Sequence, residues 1–465
     1  MNKIIKNFSY TLVSNIIAFA ISALVTFIVP KVLGVENYSY FQLYLFYVNY
    51  TGFLHFGWAD GIYLRYGGCY YDELNKEKFS GQFKAYCFVE CIISIIIIIA
   101  SLFFDVSVDK QFIFIMIAIS IPLHLPKTFL QYVLQGTNRI KEYSRLTIID
   151  RSIYIVLVLS IVLLRIDDYK GIVIADLIGK TGSLVYALYQ CREIIFSKSE
   201  RIIIVVKEIW ENISVGIKLM VANIASMLII GIVRLGIENQ WDVITFGKVS
   251  LTMSISNLLM IFIRAVATIM FPLLRRIDTE KMLDIYKAIR ACIMPLLLGM
   301  LVFYYPVKVV MSAWLPQYAE SLNYMALLFP MCVYESKMSM LVETYLKTLR
   351  KEKILLVVNV LAVILSAIFT GISAYNMHNL DVTVCSILLL LMIRCVLAEV
   401  VLSRIMKINV VTDILLEIIL TVTFVWSSWY LKGVFGVGIY AITFVIYLII
   451  KHKDIINVRK ILKSI

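Results

Sequence analysis

Three arginines, Arg151, Arg264 and Arg394, stand in the middle of long apolar runs. A charge at the centre of a membrane-spanning helix costs roughly 2.5 to 3.5 kcal/mol on insertion scales, so each should face protein or water rather than lipid. Arg264 belongs to a stripe: Ser250, Ser254, Asn257, Arg264 and Thr268 recur at spacings that share one helical face. Small polar residues packing one helix on another would give the same spacing; the arginine in the middle favours a water-filled cavity. A shorter stripe, Asn223 and Ser226, ends at Arg234.

Carboxylates form a second set. Glu335, Ser339, Glu343 and Lys347 follow one another at steps of four. Two acids on one wet face can take up and release protons, and pairing with a cation on another helix is an equal alternative. Asp60, Glu90 and Glu399 are ion-coupling candidates of the same kind. Asp176 lies four residues before Lys180, the favourable order for a self-neutralised pair. Lys127, Lys218 and Lys248 lie nearer the ends of their runs and are expected to snorkel. Tyr40, Tyr44 and Tyr47 align on one face; such rings can stack on sugars or simply pack at an interface. The four histidines are far apart, no metal-ligand spacing occurs, and Gly179-Lys180-Thr181 lacks the first glycine of a phosphate loop. No catalytic constellation and no cofactor site is expected.

These side chains need helices to hold them. Of 465 residues 61% are hydrophobic and 16% charged, with mean hydropathy +0.88, against about a quarter charged in soluble domains. Apolar runs of spanning length predict about fourteen helices, near 10–29, 39–58, 83–104, 111–133, 147–164, 171–190, 214–233, 244–271, 289–307, 322–345, 354–375, 382–403, 413–431 and 434–450. The fold class is therefore an all-α membrane protein. The basic start (Lys3, Lys6) leads into a first helix read as uncleaved. Most Lys and Arg then fall on the side of the N-terminus, so both termini are expected to be cytoplasmic. That rule also accounts for the net charge of +13 without nucleic acid. The eight cysteines are scattered and make no disulfide framework.

The expected organisation is a first lobe over 1–195, an amphipathic cytoplasmic linker over 196–213, a second lobe over 214–405, and two further helices with a basic tail over 406–465. The echo of Leu33-Gly34-Val35-Glu36-Asn37 in Leu235-Gly236-Ile237-Glu238-Asn239 suggests a parallel repeat of two six-helix halves. Pro122 and Pro126 bracket His124 and predict a kink.

Val29-Pro30-Lys31-Val32-Leu33-Gly34 through Tyr38-Ser39-Tyr40 resembles the first-helix signature of the bacterial polysaccharide flippases. Trp58-Ala59-Asp60-Gly61 to Arg65-Tyr66-Gly67-Gly68, Gln135-Gly136-Thr137-Asn138-Arg139 to Tyr143-Ser144, and Phe271-Pro272-Leu273 to Arg276 are similar to later stretches of that family. Val233 departs from it, standing before Arg234 where the family often has an acid, which withholds an ion-coupling role from that spot. The resemblance implies the multidrug/oligosaccharidyl-lipid/polysaccharide exporter superfamily, with two six-helix lobes around a central cavity working by alternating access. The implied substrate is an undecaprenyl-diphosphate-linked oligosaccharide, flipped from the inner to the outer leaflet of the bacterial cytoplasmic membrane for O-antigen or capsule biosynthesis. Membrane lipid, a polysaccharide polymerase and the export machinery are the implied partners. Arg151, Arg264, Arg234 and Arg394 suit a diphosphate, with Asn257, Ser254, Tyr44 and Tyr47 completing the expected substrate set. The competing readings are a cation-coupled drug or lipid-precursor exporter of the same superfamily, in which acids would dominate, and an integral-membrane polymerase, which would carry a large external loop.

Overall fold

The computed structural model describes the backbone of residues 2–274, 282–431 and 433–464, and the side chains of 13–258, 260, 282–431, 433, 435–454 and 456. Among the described residues the chain is helical and contains no strand. Among the described residues twelve helices are long and apolar enough to cross a membrane. The first, Asn2–Thr51, is two helices joined at Gly34, whose φ of +70° only a residue without a Cβ adopts readily. Adding Val243–Leu274 gives fourteen long helices, each on one of the expected apolar runs.

Their outward faces carry exposed Ile95, Ile96, Ile99, Ile364, Ile368, Ile446 and Ile449. Water would penalise such surfaces and hydrocarbon would not. Asn75, Ser107, Asp168, Asp242 and Asn379 cap helix starts by accepting hydrogen bonds from free backbone N–H groups. Val108–Gly136 runs on through Pro122 and Pro126. Pro122 has no N–H to give the Ala118 carbonyl, and the Ser94 hydroxyl of a neighbouring helix donates to that carbonyl instead, at 2.7 Å.

The chain forms two compact units, Met1–Ile224 and Ala225–Ile465, divided inside the helix Ile202–Gln240. The first unit depends on a glycine crossing. Gly57 (φ +80°) opens the short helix Trp58–Arg65, and a Cβ on Gly61 would meet the Asn212 carbonyl oxygen at 1.9 Å. One on Gly216 would lie 2.0 Å from the Gly57 oxygen. Backbone therefore rests on backbone where the two helices meet.

The crossing bears on the segment expected to be a linker. Residues 202–213 are not a separate connector but the first turns of Ile202–Gln240. Val205, Glu208 and Asn212 are buried on one face, while Ile202, Ile203, Val206 and Trp210 are exposed on the other. Arg65 donates to Asn212 Oδ1 at 2.7 Å and Glu211 Oε2 at 2.6 Å, and pairs with Glu208 at 2.8 Å. The Gln82 amide oxygen accepts from Trp58 Nε1 (3.1 Å) and Asn212 Nδ2 (2.7 Å). The segment is amphipathic, but its polar face is bonded into the first unit. The five-residue echo also differs in conformation: Gly34 breaks a helix, whereas Gly236 lies within one that continues to Gln240.

In the second unit, Val411–Tyr430 and Val434–Ser464 pack on one another, and the latter also packs on Met282–Met300. Ser321–Thr348 is the most enclosed of the spanning helices.

Candidate functional site

Ser321–Thr348 carries charge on two sides. Glu335 and Glu343 lie eight residues apart, which in a regular α-helix of 3.6 residues per turn would leave them about 80° apart around the axis. A π-helical turn at Met338–Glu343 underwinds the segment and takes most of that offset back. Both carboxylates consequently reach Arg394 of Leu380–Met406: Nη1 is 2.8 Å from Glu335 Oε1 and Nη2 is 3.3 Å from Glu343 Oε1. Arg394 also donates to Asn359 Oδ1 at 2.9 Å and Ser226 Oγ at 3.0 Å. Its side chain is 2% exposed, against 20% and 26% for the two acids and 46% for Lys347, which pairs with Glu343 at 3.1 Å. The arginine is sealed, and its carboxylates reach the surface.

Lys337, two residues beyond Glu335, points the other way. It is enclosed between Glu399 and Glu417. Arg290 joins the same acids, with Nε 2.9 Å from Glu399, Nη2 2.7 Å from Glu417 and Nη1 2.6 Å from Asp413. Asp413 also pairs with Lys451. Lys451 pairs with Asp454 as well, at 2.8 Å, so that among the described residues three cations face four acids, and the network ties both C-terminal helices to the rest of the second unit.

The first unit has a smaller analogue. Lys180 pairs with Asp176, which accepts from the Tyr44 hydroxyl at 2.7 Å. Lys127 pairs with Asp150 at 2.8 Å. Lys127 was expected to snorkel, but its chain is 8% exposed because a carboxylate on the adjacent helix holds it. Arg151 is exposed and makes no ion pair among the described residues.

The remaining expected residues are spread over both units. Arg234 donates to Ser250 Oγ at 2.9 Å and lies over the Phe246 ring. The Ser254 hydroxyl is bonded to the Ser250 carbonyl at 2.9 Å, and Asn257 is exposed. Arg264 and Thr268 lie in Val243–Leu274, but their side chains fall outside the described residues, as do Arg275 and Arg276 entirely. Tyr47 meets Phe114 edge-on at 5.5 Å, and Tyr40 stacks on Tyr169. Asp60 lies 3.7 Å from His55 and Glu90 is buried. Glu335, Glu343 and Glu399, all expected to carry ions, are here partners of basic side chains. Sequence reasoning passed over Arg290, Lys337, Asp413 and Glu417; the available signal was that Lys337 and Glu417 interrupt apolar runs.

No family model matches the sequence, and no curated protein matches it. Solved structures do match in fold. The lipid II flippase MurJ, in an inward closed conformation, is 13% identical with a TM-score of 0.67 and covers 97% of this chain and 99% of its own. An inward-facing multidrug resistance MATE family transporter of the MOP superfamily is 13% identical with a TM-score of 0.60, covering 84% of this chain and 97% of its own. A MOP superfamily transporter from Pyrococcus furiosus, described as having a binding pocket of reversed polarity, is 13% identical with a TM-score of 0.57 and covers 86% and 96%. The chain has the fold of the MOP superfamily and is a multi-pass membrane protein.

Proposed function

We propose that this chain, with the MOP fold as premise, is a flippase that moves an undecaprenyl-diphosphate-linked oligosaccharide from the inner to the outer leaflet of the bacterial cytoplasmic membrane. It works by alternating access, and its product feeds O-antigen or capsule assembly. Both termini lie in the cytoplasm, in keeping with the Lys and Arg excess on their side. The observation that carries this reading is the extent of the likeness to a lipid-linked precursor flippase, which takes in nearly the whole of both chains. The multidrug transporter leaves about a sixth of this chain unmatched.

Arg151, Arg234, Arg264 and Arg394 are the residues for the diphosphate, supported by Asn257, Ser254, Tyr44 and Tyr47. Guanidinium groups bind such oxyanions through paired hydrogen bonds. Arg394 is occupied by Glu335 and Glu343 in this conformation. Protonation of those two acids, both partly exposed, releases Arg394 for the headgroup, so proton uptake and substrate capture become linked. Asp60, Glu90 and Glu399 are lesser members of the coupling set. An inside-negative potential assists outward movement of the anion by roughly 2.3 kcal/mol per charge per 100 mV. Polysaccharide polymerase and export machinery are the partners this placement implies.

The test is transport of the lipid-linked oligosaccharide by an Arg151→Ala, Arg264→Ala, Arg394→Ala triple variant that still reaches the membrane. Loss of flipping supports the cationic site, and full transport excludes it. A cation-coupled exporter is the second reading, favoured by the surface-reaching acids Glu335 and Glu343. Drug resistance conferred by the chain, without any effect on glycolipid, would select it.

A further inference from the structure

A cavity of about 1130 Å³ in the second unit is lined by neither Arg394 nor the members of the buried ion network. Its walls come from the start of Val243–Leu274, residues 304–312, residues 320–324, the start of Leu380–Met406, and Ser428, Trp429, Leu431, Gly433 and Val437. Under the orientation proposed above, these ends lie on the outer side. Neither Arg234 nor Arg394 is among the described residues that line it.

The lining combines flat apolar surfaces with hydrogen-bonding groups of both signs. Tyr305, Tyr324 and Trp429 stand partly exposed in the wall. The Tyr324 and Trp429 rings are 5.9 Å apart and inclined at 48°. The charged residues among the described lining are Lys248, Lys308, Glu320 and Asp381, two of each sign, with no arginine among them. Asp381 accepts from the Tyr324 hydroxyl at 2.9 Å, which holds that ring in place. The Tyr305 hydroxyl donates to the Gly436 carbonyl at 2.9 Å and accepts from Ser428 at 3.1 Å. Tyr304, 1% exposed, also lines the cavity, and its hydroxyl has no hydrogen-bond partner among the described residues.

An anionic headgroup would meet the Glu320 and Asp381 carboxylates as well as the two ammonium groups, and a purely apolar tail would strand both. A ring with C–H faces and many hydroxyls satisfies both kinds of wall. The faces lie on aromatic rings, and the hydroxyls donate to Asp381 and Glu320 and accept from Lys248 and Lys308. We propose that this cavity is a binding site for the neutral sugar portion of the cargo, on the outer side and separate from the site that holds its diphosphate. The proposal rests on the oligosaccharide-carrier reading. It gives the glycan a place of its own, so the headgroup can leave its arginines while the sugars are still held.

The experiment uses the full-length chain in phospholipid nanodiscs, probed with an array of short neutral oligosaccharides and, in parallel, with inorganic pyrophosphate. Glycan binding is expected, weakened about tenfold by Trp429→Ala and again by Tyr324→Ala, and not displaced by pyrophosphate. Tyr324→Phe, which keeps the ring and removes the hydroxyl, serves where the alanine variants fail to fold, and should weaken binding less than Trp429→Ala. No glycan binding, or binding indifferent to Trp429→Ala and Tyr324→Phe, overturns the proposal, as does displacement by pyrophosphate. If glycans bind as expected but a strain lacking the protein still exports its glycolipid, the carrier reading fails and the sugar site stands. If glycolipid export depends on the protein while the array is silent, the sugar site fails alone.

Discussion

Lys337 is enclosed between Glu399 and Glu417, and removing either carboxylate leaves an ammonium group short of partners far from water. Breaking a buried pair from one side costs about 3 to 5 kcal/mol, so Glu417→Ala should strip the detergent-solubilised protein of much of its thermal stability. Lys347→Ala removes an exposed partner of Glu343 and should cost less than about 1 kcal/mol by the same melting measurement. The Arg394 cluster calls for a different test. Glu335→Gln with Glu343→Gln imitates protonation, and should bind the diphosphate lipid more tightly than the parent chain while flattening the pH dependence of transport. Unchanged affinity and an unchanged pH profile would separate these acids from coupling. Little of this pairing was legible beforehand. Sequence shows that Lys127 interrupts an apolar run, but its partner Asp150 lies on another helix, and only packing brings the two together.

Helices were the legible level, because twenty-residue apolar runs leave few alternatives for a backbone that must satisfy its own hydrogen bonds in lipid. Less visible was where a helix is interrupted or prolonged. Residues 202–213 carry enough polar side chains to resemble a surface segment, yet Arg65, Gln82 and the glycine crossing absorb them. The crossing predicts that Gly61→Ala or Gly216→Ala will abolish folded protein, since the added carbon meets backbone at about 2 Å. Gly438→Ala has open space and should express normally; size-exclusion profiles of the three variants decide the matter. At the other end of Ile202–Gln240, Asp242 caps Val243–Leu274 by accepting from the Thr245 N–H at 2.7 Å. Partial burial alone would raise its carboxyl, but the bonds from Thr245 outweigh that and hold it below the usual range. The stabilisation is therefore complete above the ordinary carboxylate pKa of about 3.9 and disappears as pH falls through the lowered native value. Asp242→Ala should cost about 1 kcal/mol at neutral pH and progressively less in strong acid, read from melting curves across that range. The π turn at Met338–Glu343 was invisible to a step-of-four pattern, although it is what brings Glu335 and Glu343 onto one arginine.

At the scale of the whole molecule, composition and charge asymmetry were enough to read a many-helix membrane protein, and the MOP fold agrees with that. Substrate class is a matter of which charges remain available once helices have packed. Arg394 is ion-paired with two carboxylates, and Arg151 forms no ion pair among the described residues. A sequence cannot distinguish the two cases, because both appear as an arginine within an apolar run. The most direct test of the account is the leaflet in which labelled lipid-linked oligosaccharide resides in cells lacking the protein. Accumulation on the inner leaflet, reversed by restoring the chain, is the predicted result; unimpeded arrival on the outer leaflet would contradict it.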